Sequence, residues 1–402
     1  MNCLLYRWKV FNQEDIAESL RNFGVNVIEY EEASVYIDED KGLKFHNYAE
    51  VYNKIKGVDI VFSFNYFAHV SNICEELQKP YVSWSVDSPL ISLFHESIYN
   101  KCNYIFIFDK FFYIQIKDLG LEHVYYLPLA VNAQRLQETI RKQSKEEINQ
   151  GLKSDVSFVG SMYHRNSFDA IAGKLPEELR DYFMEVLKEQ LFIPGMELID
   201  ESLSPKILEE LLEATSFVQS EGSFSDLALV FTNTFLGFKL ANMERVVTIN
   251  ALASAIKDRY TLDLYTDNPD DKLRAVRVKD FVDYKKTMPK VFNNSKINLN
   301  ISLRNIRSGI PLRVWDVLGS GGFLLSNRQI EIRDYFIEGK EIECYSTIEE
   351  AVTKTLYYLE HDEERIKIAQ NGLEKVEKEH SYDRRIEEIL DIVKKEKQNK
   401  YM

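Results

Sequence analysis

The residues with the greatest capacity for chemistry lie in one stretch, Leu299-Asn300-Ile301-Ser302-Leu303-Arg304-Asn305-Ile306-Arg307-Ser308-Gly309-Ile310-Pro311-Leu312-Arg313-Val314-Trp315-Asp316. A strand-like run ends in a polar loop, and Gly309 and Pro311 then lead into a helix. Open N–H groups at a helix start, together with the helix dipole, suit a phosphate. Arg304, Arg307 and Arg313 stand close in sequence, and a guanidinium can grip phosphate oxygens with a bidentate fork. Asp316, one turn into the helix, can accept hydrogen bonds from sugar or ribose hydroxyls. The same spacing also describes an ordinary strand–loop–helix with solvated arginines.

Two further segments carry reactive residue types. In Phe158-Val159-Gly160-Ser161-Met162-Tyr163-His164-Arg165 a buried strand ends at Gly160, where a backbone without a side chain lets a ligand approach. Ser161, Tyr163, His164 and Arg165 follow in a loop. In Trp84-Ser85-Val86-Asp87-Ser88-Pro89 an aspartate stands just past a strand end, before a proline that stops the strand. Asp87 there can orient a hydroxyl or act as a base, or serve as a turn or cap residue. His95 follows as a weaker candidate, more in keeping with a surface or packed histidine. Asp38-Glu39-Asp40 offers an Asp-x-Asp pattern but precedes Lys41-Gly42 and reads as a solvated turn. No metal site is expected. Cys3, Cys74, Cys102 and Cys344 are scattered, with no close pair suited to zinc or a redox dithiol.

These residues need elements to hold them. With 402 residues, two domains are the expectation. The balance of 45% hydrophobic and 28% charged residues is that of a soluble globular chain. A net charge of −14 argues against a nucleic-acid grip, which needs a basic face. Arg7 and Lys9 interrupt the start of the chain, so no signal peptide is expected, and no apolar run reaches the length of a membrane span. The expected location is cytoplasmic.

Short apolar runs at Cys3–Tyr6, Val25–Tyr30, Val58–Phe64, Tyr81–Val86, Tyr104–Phe108 and Val124–Leu127 alternate with helical spacing. Gln134–Lys153 is polar and reads as a surface helix leading into a linker. A second series starts at Asp155–Gly160 and continues through Thr261–Tyr265, a strand within Ala275–Val282, Ile297–Leu303 and Phe323–Ser326. Helices are expected at Pro176–Phe192, Ser204–Phe217, Asp226–Ile256, Met288–Asn294 and Leu312–Leu318, and almost throughout from Thr347 onward. Two successive βα series predict two doubly wound α/β domains, whose ligands bind outside the carboxyl ends of the strands. The expected domains are 1–150, 151–380 with a helical insertion near 175–256, and a C-terminal helix and tail at 381–402.

The run from Leu299 to Asn327 resembles the donor-binding segment of the CgeB-type, spore-maturation-related glycosyltransferase family, and is more distantly similar to the large retaining GT-B families. Tyr81–Leu90 and Tyr125–Val131 resemble the N-terminal domain often paired with that family, and Asp155–Asn166 the start of its nucleotide-binding domain. The resemblance implies a GT-B-like fold, with two Rossmann-like domains facing a cleft and C-terminal helices packing back. It implies transfer of a sugar from a nucleoside diphosphate donor to a hydroxyl of a surface glycan or of a protein such as flagellin or spore coat, with no cofactor beyond the nucleotide sugar and no metal. It places Gly160, Ser161, Tyr163, Arg165, Arg304, Asn305, Ser308, Gly309, Arg313 and Asp316 at the donor, the base near Val282 and Tyr284, and Trp84 and His95 beside the acceptor. In the retaining families two glutamates separated by seven residues sit at this strand–loop–helix; their counterparts are Ser308 and Asp316. Arg313, three residues before the acid, is characteristic of the CgeB-type group. Stereochemistry stays open, with Asp87 as the base of an inverting path. A non-catalytic nucleotide-sugar-binding or assembly protein and a nucleotide-sugar epimerase are the alternatives. Gly319, Gly321 and Gly322 are expected to serve the helix-to-strand turn.

Overall fold

Runs such as Ile60–Phe64 and Asn103–Ile107 are buried along their whole length, as strands covered on both faces of a parallel sheet must be. In the computed structural model, which describes residues 1–8, 10, 12–31, 36–38, 43–45, 47–144 and 152–399, they build two separate parallel sheets of six strands each. The chain divides into two units. The first comprises Met1–Ala130, Glu221–Phe224 and His380–Met402; the second comprises Val131–Ser220 and Ser225–Glu379. The boundary expected at 150/151 falls among residues outside the described ones.

The first unit holds β1 (Asn2–Arg7), β2 (Asn26–Glu31), β5 (Ile60–Phe64), β6 (Tyr81–Trp84), β7 (Asn103–Ile107) and β8 (Val124–Tyr126), in the order β2-β1-β5-β6-β7-β8. Helices α1 (Gln13–Asn22), α2 (Tyr48–Lys56), α3 (Ala68–Glu76) and α4 (Lys110–Lys117) connect them. A small antiparallel pair, β3 (Tyr36–Asp38) with β4 (Leu43–Phe45), sits between β2 and α2. The C-terminal helix, Tyr382–Asn399, belongs to this unit. The Tyr382 ring meets Trp84 edge-on at 6.1 Å, and its hydroxyl accepts from Asn12 Nδ2 at 2.7 Å.

The second unit has the order β11-β10-β9-β12-β13-β14, from β9 (Ser154–Val159), β10 (Leu262–Tyr265), β11 (Arg277–Lys279), β12 (Ser295–Asn300), β13 (Leu324–Asn327) and β14 (Glu343–Tyr345). After β9 the sheet grows one way through β10 and β11. From β12 it grows the other way through β13 and β14, so the order reverses between β9 and β12. Helix α5 (Ala133–Arg141) opens the unit, and α12 (Met288–Asn294), α13 (Leu312–Gly319), α14 (Ile332–Tyr335), α15 (Ile348–Glu360) and α16 (Asp362–Glu379) complete it; Tyr382–Asn399 is α17.

Between β9 and β10 runs a helical insertion: α6 (Ser167–Ile171), α7 (Glu177–Gln190), α8 (Glu197–Ser202), α9 (Pro205–Thr215) and α10 (Leu227–Val230). It has its own core, including Phe168, Phe183, Leu187, Leu211, Phe231 and Phe235. From α10 the chain continues as a π-helical stretch, Phe231–Leu236, and then as α11, Gly237–Ile256.

Helix α13 is fastened by its buried Val314, Trp315, Val317 and Leu318, each contributing roughly 1.5–3 kcal/mol by burial. The turn that follows fits its glycines. Gly321 has φ +69°, and a Cβ on Gly319 or Gly322 would come within 2.7 Å of Val131 or of the Phe292 carbonyl.

Candidate functional site

The loops leaving β9 and β12 lie on either side of the strand reversal, where a doubly wound sheet opens a crevice. Helix α11 holds the first of them through a seam of polar side chains. Lys239, Asn242, Arg245 and Thr248 stand three residues apart and are all buried. Lys239 Nζ pairs with Asp169 at 2.7 Å. Asn242 Nδ2 donates to the Met162 carbonyl at 2.9 Å and to Asp270 Oδ2 at 2.8 Å. Arg245 Nη1 donates to the Ser161 carbonyl, and Nη2 to the Ile301 carbonyl at 2.8 Å. Its guanidinium lies 4.7 Å from the Tyr163 ring centre and 5.3 Å from that of Phe158, and Tyr163 stacks in turn on Phe238 at 5.2 Å. Burial pushes Arg245 below the usual guanidinium value; Tyr163 and Glu244 oppose that shift, and the positive charge of Arg313 adds to it. Tyr163 has φ +49°, a conformation that a non-glycine residue keeps only where its surroundings enforce it. Arg165 is exposed and makes no ion pair among the described residues, while Ser161 is exposed at the loop's tip.

The β12 loop carries three arginines with different fates. Arg304 is committed inside the unit. It forks Glu244 at 3.1 and 3.2 Å and donates to the carbonyls of Gln190, Leu191 and Ile193 beyond the end of α7. Arg307 pairs with Asp200 of α8 at 2.6 Å. Both therefore tie the helical insertion to this loop. Asn305 Nδ2 donates to the Asn233 carbonyl in the π-helical stretch at 2.6 Å. A Cβ on Gly237 would come within 2.5 Å of the Asn305 amide, so the wide helical turn and that glycine together make room for it. Ser308 is buried, and its hydroxyl donates to Glu331 at 2.7 Å, where Glu331 is also buried.

Arg313 is different: it is half-buried on the first turn of α13, stacked on Phe292 at 5.3 Å, touching Met288 Sδ, and 3.9 Å from Asp316. No side chain caps that helix start, where Pro311 occupies the cap position. Asp316 is buried and accepts from the Tyr284 hydroxyl at 2.9 Å. Arg135 lies over the Tyr284 ring at 5.9 Å, and Val282 is buried. Gly309 is buried in the same loop.

In the first unit Asp87 lies past the end of β6. Asn65, itself at φ +58°, donates to Asp87 Oδ2 at 2.6 Å, and its Oδ1 accepts from the Val86 amide at 2.8 Å. Asp87 keeps an exposed edge, yet the protein packed around its carboxyl raises its pKa above the usual range, the Asn65 hydrogen bond acting the other way. Ser88 donates to Asp109, which caps α4. Trp84 lies wholly in the core and donates to the Leu127 carbonyl. His95 caps a short 3-10 turn over Glu96–Tyr99 and bonds Ser97 and the Glu221 carbonyl. Each is thus occupied structurally. Half-buried Trp8, Phe67 and His69 cluster with Tyr6 at the ends of β1 and β5, a grouping without a local sequence pattern.

Glu39 and Asp40 lie outside the described residues. Among those described, His164, Asp270 and Asp271 bring ligand-type atoms within 4.8 Å of one another. Asp270 already accepts from His164 at 3.1 Å, from Asn242 and from the Lys272 amide. Burial acts to raise its pKa, but those hydrogen bonds outweigh it and bring it down to about 2. No helix among the described residues is long and apolar enough to cross a membrane.

Residues 246–391 match the sequence profile of the family described as "Glycosyl transferase-like". No curated protein is similar to the chain at the level of sequence. Among solved structures, Anabaena Alr3699/HepE in complex with UDP and glucose superposes with a TM-score of 0.55 at 9% identity, over 97% of this chain and 99% of that one. A glycosyltransferase from Rickettsia africae gives 0.57 at 10% identity, over 98% of both chains. T4 phage BGT in complex with UDP-glucose gives 0.51 at 9%, over 97% and 98%. Two six-stranded parallel α/β units and likeness to these proteins along nearly the whole chain establish that this protein has the GT-B fold.

Proposed function

We propose that the protein is a glycosyltransferase whose second unit binds a nucleoside diphosphate sugar. One observation carries this reading. At the strand reversal, the β12 loop runs into a helix start that no side chain caps, with Arg313 on its first turn and the buried Asp316–Tyr284 pair one turn further in. Such a start suits a diphosphate, and Asp316 is an acceptor for ribose hydroxyls. The match to a glycosyl transferase-like profile over the part of the chain that contains these residues supports it, as does the UDP bound by the Anabaena neighbour.

In the proposed reaction the acceptor oxygen forms a bond to the anomeric carbon while the bond from that carbon to the β-phosphate oxygen breaks. The nucleoside diphosphate leaves with the electron pair. On an inverting path Asp87 takes the acceptor's proton; on a retaining path the leaving phosphate takes it. The raised pKa of Asp87 suits a base. The kinship of Leu299–Asn327 to the CgeB-type group is the ground for proposing a hydroxyl of a surface glycan or protein as acceptor. The protein requires no metal in this scheme, because Arg313 and backbone N–H groups meet the leaving charge.

Calorimetric titration with UDP, GDP, ADP and dTDP tests the donor claim. Binding of at least one with micromolar-scale affinity, about −8 kcal/mol, is expected; no binding by any of them would sink it. A second reading, nucleotide-sugar binding without turnover, is favoured by Ser308, which stands where the retaining families place a glutamate and is held on Glu331. Release of nucleoside diphosphate in the presence of donor and acceptor separates the two.

A further inference from the structure

Arg245 belongs to none of the segments that the sequence singles out, and its electrostatics differ from those of the other buried cations of the second unit. Its residue is 8% exposed. The other cations buried to this degree in the second unit, Lys239 and Arg365, each face a carboxylate at 2.7 Å. Among the described residues no carboxylate lies within 4.0 Å of the Arg245 guanidinium. Its Nε is buried without a hydrogen-bond partner. A buried ion is normally paired, because the cost of leaving water is several kcal/mol per charge. Here the direct contacts are two carbonyls and two aromatic faces, and the favourable field of Glu244 comes from beyond ion-pair distance. A second like charge, Arg313, lies close enough to bear on it.

The location gives this surplus charge a purpose. The two carbonyls are those of Ser161 and Ile301, just past the ends of β9 and β12. One side chain thus bridges both loops of the crevice and holds the strained Tyr163 between itself and Phe238. A buried charge acts through a poorly screened medium, so an anion beside it gains more from it than from a solvated arginine.

Building on the donor-binding reading above, we propose that Arg245 is the fixed counter-charge of the donor diphosphate, holding the β9 and β12 loops in place and becoming neutralised when the diphosphate binds. As a positioning residue it acts through those loops and through its field. The expected signature is selectivity for the phosphates over the nucleoside.

The test titrates UDP, GDP, ADP and dTDP, each beside its own nucleoside, into the wild-type protein and into Arg245→Gln and Arg245→Lys, at several salt concentrations. In Arg245→Gln, which removes the charge and keeps donors, the preference for diphosphate over nucleoside should fall about tenfold or more, while nucleoside affinity changes less than about twofold. The dependence of diphosphate affinity on salt should become shallower. Arg245→Lys keeps the charge but cannot span both carbonyls, so the dependence of diphosphate affinity on salt should stay as steep as in wild type even where affinity falls, and this variant is the critical one if the glutamine protein does not fold. An unchanged preference in Arg245→Gln, an equal loss for diphosphate and nucleoside, or a shallower salt dependence in Arg245→Lys than in wild type would overturn the proposal while leaving the donor reading intact. Wild-type protein that binds none of UDP, GDP, ADP and dTDP would remove both.

Discussion

Arg304 has a role that can be tested without knowing any substrate. Its fork on Glu244 has both side chains only 14% exposed, and its remaining donors close three carbonyls at Gln190, Leu191 and Ile193. Arg304→Met keeps much of the stem's bulk but leaves the Glu244 carboxylate half in the protein with no partner. Breaking a buried pair from one side costs about 3–5 kcal/mol, and the residual exposure places this case near 3. The cost should appear in the helical insertion, whose core has its own boundary. Hydrogen exchange at the amides of α7 and α9 should therefore accelerate by roughly a hundredfold, the factor corresponding to about 3 kcal/mol. The paired variant Arg304→Met/Glu244→Leu removes the stranded charge and should recover about 2 kcal/mol of that loss, leaving mainly the carbonyls unmet. A single variant costing under about 1 kcal/mol would refute the reasoning. So would a double variant as costly as the two singles together.

Three other outcomes follow from the same geometry. A Cβ on Gly160 would meet nothing closer than 3.5 Å, so Gly160→Ala should change stability by under about 0.5 kcal/mol. If a diphosphate approaches this backbone, its affinity should nonetheless fall about tenfold; undiminished binding measured by calorimetry would remove Gly160 from the site. Asp87 has a raised pKa in the folded state, so its ionised form is penalised by folding above that pKa and the penalty is relieved as pH falls through it. Asp87→Asn should accordingly be more stable than wild type at neutral pH, with the gap closing in acid, and on the inverting path it should lose turnover; a lower melting temperature at pH 7 would contradict this. Asp270 has the opposite sign. Its pKa of about 2 lies below the unfolded value of roughly 3.9, so its stabilisation is present above the latter and is lost as pH falls through the former. Asp270→Asn should destabilise the protein at pH 7 and match wild type near pH 2, as read by urea unfolding at each pH.

The alternation of short apolar runs with helical spacing was enough to read two doubly wound sheets, because strands buried on both faces, such as β5 and β7, are nearly continuous apolar runs. It was silent where local preference and context disagree. Lys110–Lys117, with two phenylalanines, a tyrosine and two isoleucines, has a β-like composition, yet Asp109 accepts from the amides of Phe111 and Phe112 and starts a helix. Strand β14 spans only Glu343–Tyr345, too short for any period to appear. In the π-helical stretch Asn233 and Thr234 bond back to the Leu229 and Val230 carbonyls, and the Asn233 carbonyl accepts from Asn305, which lies far along the chain.

The candidate site was legible in place and less so in its parts, and the arginines explain why. Proximity in sequence made Arg304, Arg307 and Arg313 equivalent, but a charge is available to a ligand only if no neighbour has already taken it. The neighbours of Arg304 and Arg307 are Glu244 on α11 and, in the insertion, Asp200 and the end of α7, all sixty residues or more earlier in the chain. No spacing rule reaches that distance. Arg245 presents the reverse case, since its local pattern was informative. Polar residues at 239, 242, 245 and 248 repeat every three positions through a helix otherwise rich in apolar side chains, and a polar seam that folding buries must have something to hold. For Lys239 and Asn242 the partners are carboxylates and a carbonyl within the protein. For Arg245 the carbonyls meet Nη1 and Nη2 but neither Nε nor the charge, which has no carboxylate at ion-pair distance among the described residues, and such a charge at the reversal of a doubly wound sheet is the physical reason to look there for an anion.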